Sequence, residues 1–184
     1  MARRMTTESY ARILGPRPRH TSKQLREFMK KFGIACAAVA ASLLFSGCAS
    51  VNMASKEESA LAKEFKQPAP GNAGVYLYRD SFAGQALKKD IWIDGKCIGE
   101  SANKVFFYTQ VPGGKTYKID TESEFSPNTI EAMLTADKNY FFRQFIKMGV
   151  FVGGAGIEPV PEEQGKKEVA QLEMAKLGSC SGAK

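Results

Sequence analysis

From Gly74 to Lys147 the chain alternates apolar and polar residues with a period of two, the pattern of β-strands that bury one face. Turn signals separate the alternating segments. The clearest is Asp94-Gly95, since a two-residue hairpin needs residues that accept a positive φ. The predicted strands are residues 75–79, 90–94, 97–99, 104–111, 115–120, 129–135 and 140–147. Strands this short and this regularly spaced predict a mainly β fold, a small β-sandwich of about seven antiparallel strands.

One short helix is predicted before the strands and one helix after them. Ser55 and Glu58 have the spacing of a capping box, which predicts a helix that runs to about Phe65. Pro161 and the two acids after it predict a second helix, because proline is favoured in the first turn and acids stabilise the positive end of the helix dipole. We expect this C-terminal helix to run to about Leu177.

An apolar, glycine-rich segment, residues 148–157, lies between the last predicted strand and the C-terminal helix. It lacks the glycine and lysine spacing of phosphate-binding loops. We interpret the segment as a mobile loop or an irregular edge strand. The alternative is an apolar surface that contacts a partner protein or the membrane interface.

The N-terminal part of the chain has a different pattern, a continuous apolar run over residues 32–45 that follows Lys30-Lys31. A run of 14 residues is shorter than the ~20 residues of a membrane-spanning helix and fits the apolar region of a signal peptide. Ser46 and Gly47 then precede Cys48, which resembles a bacterial lipobox. The sequence therefore predicts a signal peptide over residues 1–47, cleavage between Gly47 and Cys48, and lipidation of Cys48.

The predicted signal peptide sets the organisation of the rest of the chain. Met29 begins a complete signal peptide by itself, so we expect that residues 1–28 precede the true start of translation. Residues 48–73 are predicted to be a lipidated N-terminus and tether with a short helix. Residues 74–178 are predicted to be the β-sandwich domain with its C-terminal helix, and residues 179–184 a tail.

Charge and histidine content change once the signal peptide is set aside. The whole chain has 26 Lys+Arg and 19 Asp+Glu, but residues 1–47 hold nine of the former and two of the latter, which leaves 17 of each. A neutral chain has no electrostatic signal for nucleic acid. The only histidine, His20, also lies in the signal peptide. We therefore expect no histidine-based catalysis, no metal site and no cofactor, and carboxylate chemistry is the remaining enzymatic alternative.

Two of the four cysteines stay available after processing. Cys36 lies in the apolar run and Cys48 is the predicted lipidation site, so Cys97 and Cys180 remain. An oxidising compartment would permit a disulfide between them. The alternative is two unpaired thiols.

Several aromatic residues fall in the predicted strands, among them Tyr78 and Trp92. If they share an exposed sheet face, they could stack on sugar rings, which would make the domain a carbohydrate or peptidoglycan binding module. The alternative is that they are core or strand-pairing residues.

Motifs along the whole mature chain resemble bacterial lipoproteins of domain-of-unknown-function family 2846. They are residues 48–51, 53–55, 62–65, 73–79, 93–96, 98–99, 111–115 and 136–141. The Asp94-Gly95-Lys96 hairpin with Ile98-Gly99 is also similar to PEGA-type β-sandwich domains. The resemblance implies a fold and a lipid anchor, and it implies no catalytic residues.

The sequence thus predicts a lipid-anchored, non-enzymatic lipoprotein of the cell envelope. Its expected partners are the membrane, through the lipid at Cys48, and an envelope protein or the cell wall. Ala49, rather than aspartate, follows the cysteine, which in a Gram-negative envelope resembles the signal for the outer membrane. We expect the domain to face the periplasm.

Overall fold

The computed structural model describes residues 50–123, 128–147 and 153–182. They form two helices and nine strands. The helices are α1 (Lys56–Ala62) and α2 (Glu162–Val169). The strands are β1 (Asn72–Arg79), β2 (Lys89–Ile93), β3 (Lys96–Ser101), β4 (Val105–Pro112), β5 (Lys115–Thr121), β6 (Asn128–Leu134), β7 (Asn139–Lys147), β8 (Gly154–Val160) and β9 (Glu173–Met174).

The strands form two sheets, as the alternating pattern predicts. One sheet has five strands in the order β8-β7-β1-β4-β9, and the other has four in the order β3-β2-β5-β6. The predicted mainly β fold with one helix near each end is therefore confirmed. Two strand pairs, β1 with β7 and β4 with β9, are parallel rather than antiparallel.

Apolar side chains from both sheets form the main core. Val75, Leu77 and Phe107 come from the five-stranded sheet, and Ile91 and Ile119 come from the four-stranded sheet. All five are at most 1% exposed. Burial of a side chain of this size contributes about 1.5–3 kcal/mol, so this layer accounts for the pairing of the two sheets.

A second apolar cluster lies on the other face of the five-stranded sheet, against the helices. It contains Tyr76, Tyr78 and Phe141 from the strands and Val169 from α2. The Tyr76 and Phe141 rings stack with centroids 4.7 Å apart. Strand β1 is therefore buried on both faces, which explains why residues 75–78 are a continuous apolar run rather than an alternating one.

The capping box that the sequence predicts is present at the start of α1. The Glu58 amide donates to Ser55 Oγ at 3.1 Å, and the Ser55 amide donates to Glu58 Oε2 at 2.8 Å. These hydrogen bonds hold the pKa of Glu58 below its usual value, and the bond with the Ser55 backbone is the larger cause. The helix ends at Ala62, slightly before the predicted end.

The C-terminal helix is shorter than predicted, because it ends at Val169 and not near Leu177. Leu172 packs into the second cluster from a turn, and Glu173–Met174 then pair with β4 as strand β9. The apolar spacing that suggested a longer helix is produced by a turn and a strand that bury the same residues. Tertiary pairing therefore overrides the helical pattern here.

The interpretation of residues 148–157 can be compared with the structure only from Gly153 onward, since the preceding residues lie outside the described ones. The described part is an edge strand, as one of the two interpretations has it, but the strand is regular. Gly154–Val160 form β8, a regular antiparallel partner of β7 at the edge of the five-stranded sheet. Residues 158–160 extend this strand beyond the predicted segment.

Candidate functional site

The predicted cleavage and lipidation residues, Gly47 and Cys48, lie outside the described residues, just before the first of them, Ser50. The chain is folded almost at once after that point. The Lys176 amide donates to Asn52 O at 2.7 Å, and the Ala54 amide donates to Met174 O at 2.9 Å. Val51 packs against the main core. The domain therefore begins about three residues after Cys48.

Helix α1, which was expected to be part of a tether, is also attached to the domain. Ser59 Oγ donates to Glu173 Oε2 at 3.1 Å, and Lys63 Nζ donates to Glu173 Oε1 at 3.2 Å. The hydrogen bond from Lys63 holds the pKa of Glu173 below its usual value, and the bond from Ser59 adds a smaller effect in the same direction. Asn139 Nδ2 donates to the carbonyl of Phe65 at 3.1 Å. The expectation that residues 48–73 form a spacer is thus wrong for its described part, because this segment supplies apolar and polar contacts to the five-stranded sheet.

Residues 175–182, which we call the C-terminal strap, cross from one sheet to the other. The Ala175 amide donates to Phe106 O in β4 at 2.8 Å, and the Gly178 amide donates to Ile98 O in β3 at 2.8 Å. The Glu100 amide then donates to Ser179 O at 2.7 Å. The strap therefore covers the free edge of β3, which would otherwise expose unpaired backbone groups.

A disulfide fixes the end of the strap. Cys97 and Cys180 are bonded, with their Cα atoms 6.1 Å apart, so of the two alternatives left by the sequence the structure has the bridged one. The predicted tail, residues 179–184, is accordingly part of the folded domain as far as Gly182, the last described residue.

A buried carboxylate, Asp90 in β2, provides the second attachment of the strap. Its Oδ2 accepts hydrogen bonds from the amides of Ser181 and Gly182, each at 2.9 Å, and from Ser181 Oγ at 3.2 Å. Asp90 is 0% exposed. Sequence reasoning did not single out this residue, because nothing local indicates that a segment about 90 positions away will cover it.

Of the two interpretations of the strand aromatics, the structure has the core one for Trp92, which is 5% exposed, and for Tyr78, which is 0% exposed. Trp92 follows Asp90 by two positions on β2, and its partner on β3 is Cys97. Asp90 and Cys97 are the two residues that hold the strap. Tyr78 points at α2, where its hydroxyl donates to Glu168 Oε2 at 2.5 Å. Burial, with Glu168 as the second cause, raises the pKa of Tyr78 well above its usual range. Neither ring is available for stacking on a sugar.

A buried guanidinium is the most unusual polar group of the main core. Arg79 is 0% exposed, and its Nη2 donates to the carbonyls of Gly84 and Leu87, each at 2.7 Å. Among the described residues no acceptor contacts its Nε or Nη1. Burial lowers the pKa of Arg79. Its visible role is to hold the loop between β1 and β2 against the end of the sandwich.

A groove lies between the C-terminal half of β4 and the hairpin that joins β2 to β3. It has a volume of about 390 Å³. Apolar side chains of Ile98 and Val111 contribute to its lining, and Lys96 and Lys115 stand at its rim. Lys115 Nζ lies 3.5 Å from an Asp94 carboxylate oxygen. The groove thus combines an apolar floor with a charged rim.

Neither a metal-binding cluster nor a membrane-spanning helix is found among the described residues. No group of three or more His, Cys, Asp or Glu side chains there is placed to hold a metal ion. In the same part of the chain no helix has the length and apolar character to cross a bilayer.

Comparison with known proteins identifies the family. The family described as "Protein of unknown function (DUF2846)" matches residues 69–155. An uncharacterized protein of Haemophilus influenzae is 53% identical over 148 residues, which cover 80% of this chain and 88% of the relative. The chain belongs to the DUF2846 family. In this DUF2846 protein the family match runs from just before β1 into β8, and α2, β9 and the C-terminal strap lie beyond it. No solved structure matches the chain.

Proposed function

We propose that this DUF2846 protein is a lipid-anchored lipoprotein of the cell envelope, held by Cys48, and that its β-domain acts by binding rather than by catalysis. The observation that carries the proposal is the short distance along the chain between the lipobox-like sequence and the folded domain. The domain begins at Val51, three residues after Cys48. A cysteine in that position is suited to hold the whole domain at a membrane surface.

The length of chain limits how far the domain stands from the lipid. Three residues of fully extended chain span at most about 11 Å. A lipid on Cys48 therefore keeps Val51 and its neighbours within the depth of the headgroup region or just outside it. The domain would be held with its N-terminal edge toward the bilayer, where Lys88 and Lys176 line a small polar pocket together with Ser50.

The lipid itself supplies enough free energy for a durable attachment. Each buried CH₂ of an acyl chain contributes about 0.8 kcal/mol, and one chain alone binds only reversibly, so lasting attachment requires more than one chain. A bacterial lipoprotein carries several acyl chains on its N-terminal cysteine. No further membrane contact by the β-domain is then needed for retention.

The disulfide supports an exported location. Structural disulfides form and persist in oxidising compartments and are rare in the cytosol. The Cys97–Cys180 bridge joins two distant parts of the fold, so it is suited to a structural role. This agrees with a domain that is translocated by a signal peptide and, in a Gram-negative envelope, faces the periplasm.

Membrane fractionation of cells that express the full chain tests the anchor. We expect the unaltered protein in the membrane fraction and the Cys48→Ala variant either as unprocessed precursor or outside the outer membrane. Ser50→Ala is the matched control and should fractionate like the unaltered protein, since Ser50 is exposed and its side chain makes no hydrogen bond in the described part of the chain. The proposal would be refuted by Cys48→Ala protein that has lost residues 1–47 and still fractionates with the membrane like the unaltered protein.

A further inference from the structure

Strand β9 pairs with only the first part of β4, and no other described residue pairs with the rest of that edge. The register joins Val105 with Glu173 and Phe106 with Met174, and pairing stops there. The chain then turns away toward β3 at Gly178, which has a φ of +89°. The half of β4 from Phe107 to Pro112 consequently has a strand neighbour on one side only, β1, among the described residues.

The direction of the free backbone groups follows from the hydrogen-bond pattern. Phe106 O accepts from Ala175, so the backbone groups of Phe106 point away from β1. In an antiparallel pair, the backbone groups of residues two apart on one strand point to the same side. The N–H and C=O groups of Tyr108 and Gln110 therefore point away from β1, like those of Phe106, and lie at the open edge. The Gly74 amide, opposite Gln110, donates to Lys138 O on the far side of β1, as this pattern requires.

The open edge borders the 390 Å³ groove, whose lining includes Thr109, Gln110 and Val111. An extended backbone laid along the edge would continue the line of β9. Alternate side chains of that backbone would enter the groove above Ile98 and Val111, since side chains of a strand alternate between its faces. The groove and the edge therefore form one site with two kinds of contact.

Charge indicates which side chains the added strand carries. Lys96 and Lys115 stand at the rim of the groove, and only Lys115 has a carboxylate, Asp94, within ion-pair distance in the described part of the chain. Lys96 is exposed and has no described ion pair. A carboxylate on the incoming segment would give Lys96 a partner.

From these features we infer that the open edge of β4 at Tyr108 and Gln110 binds an extended, acidic peptide segment of another protein by strand addition. Main-chain hydrogen bonds to the edge give affinity in this mode of recognition, and the adjoining pocket selects side chains. The inference rests on the proposed binding role of the domain. It does not require the lipid at Cys48, so fractionation and peptide binding can fail separately.

The experiment uses the purified mature protein in detergent micelles and a phage-displayed library of random dodecapeptides, with empty micelles as background. We expect enriched peptides that carry an acidic residue and alternate apolar residues. A synthetic enriched peptide should slow amide hydrogen exchange at Tyr108 and Gln110 by tenfold or more, as measured by NMR. Phe107 and Thr109, whose amides already face β1, should change little.

Two substitutions of one residue separate backbone pairing from side-chain contact. Gln110→Pro removes the outward N–H at an edge position where proline is tolerated, and Gln110→Ala removes only the side chain. We expect Gln110→Pro to bind the peptide at least tenfold more weakly than Gln110→Ala. Lys96→Glu should weaken binding about threefold relative to the control Lys138→Glu, which changes the charge equally at another exposed turn.

Three outcomes would overturn the inference. One is that no peptide is enriched above empty micelles. Another is that bound peptides leave the Tyr108 and Gln110 amides unprotected. The third is that Gln110→Pro and Gln110→Ala bind the peptide equally well.

Discussion

Removal of the Cys97–Cys180 disulfide should destabilise the domain mainly through its unfolded state. The bridge joins residues 83 positions apart, and it lies between the strap and β3. In the double variant Cys97→Ser/Cys180→Ser the strap keeps its backbone hydrogen bonds to Ile98 and Glu100 and its hydrogen bonds to Asp90. The folded state should therefore change little, while the unfolded chain gains freedom.

The size of the effect follows from the length of the closed loop. The chain-entropy relation gives about 4.5 kcal/mol at 25 °C for a loop of this length, and measured removals of structural disulfides cost about 2–5 kcal/mol. With a urea m-value of about 2 kcal/mol/M, a loss of about 2–5 kcal/mol lowers the midpoint of unfolding by roughly 1–2.5 M.

The single tryptophan makes the assay specific, because the buried Trp92 stands two positions from Asp90 on β2 and pairs with Cys97, the two residues that hold the strap. Urea unfolding followed by Trp92 fluorescence reports the midpoint, and the emission maximum without urea reports whether the ring stays buried. We expect a lower midpoint with an almost unchanged native emission maximum. The unaltered protein treated with a reductant is the control and should behave like the double variant.

A loss below about 1 kcal/mol would refute this reasoning, because the closed loop would then not restrict the unfolded chain. A native emission maximum shifted strongly to the red would refute it in another way. That result would mean that the bridge, and not the hydrogen bonds to Asp90 and β3, keeps the strap in place.

Three further predictions follow from individual contacts. In Asp90→Asn a neutral side-chain amide replaces the carboxylate that accepts from the backbone amides of Ser181 and Gly182. The free energy of unfolding in urea should fall by about 1–3 kcal/mol, and an unchanged midpoint would contradict the attachment. Gly165→Ala should destabilise α2 by about 1–3 kcal/mol in thermal unfolding, although alanine normally favours helices, because its Cβ would lie 2.3 Å from Phe141 Cγ; a stabilised variant would contradict the packing. Stability should fall as the pH drops below about 4.5, because Glu58 and Glu173 have lowered pKa values in the folded state and their contribution is lost as each is protonated; Glu173→Gln should flatten this pH dependence, and an equally steep profile would contradict it.

Local features of the fold could be predicted from the sequence because their causes are local. The capping box of Ser55 and Glu58 needs only four residues, and the Asp94-Gly95 turn needs two. Alternation located the strands because each buries a face against the same core. The pairing of β1 with β7 in parallel could not be predicted, since it depends on which distant strand fills a free edge.

The sequence left open whether Tyr78 and Trp92 are exposed or buried, and the two residues are buried for different physical reasons. Tyr78 belongs to a continuous apolar run, and such a run is typical of a strand buried on both faces, so its burial could have been predicted. Trp92 belongs to an alternating strand whose outer face would be exposed without the strap. Its neighbours Asp90 and Cys97 hold residues near position 180, which only the folded chain brings into place.

The most direct test of the lipid anchor is the intact mass of the protein extracted from the membrane, with its N-terminal peptide sequenced by mass spectrometry. The proposal predicts a chain that begins at Cys48 and carries the added mass of a diacylglyceryl group, with or without a further acyl chain on its amino group. A chain that begins at any other residue, or an unmodified Cys48, would contradict it.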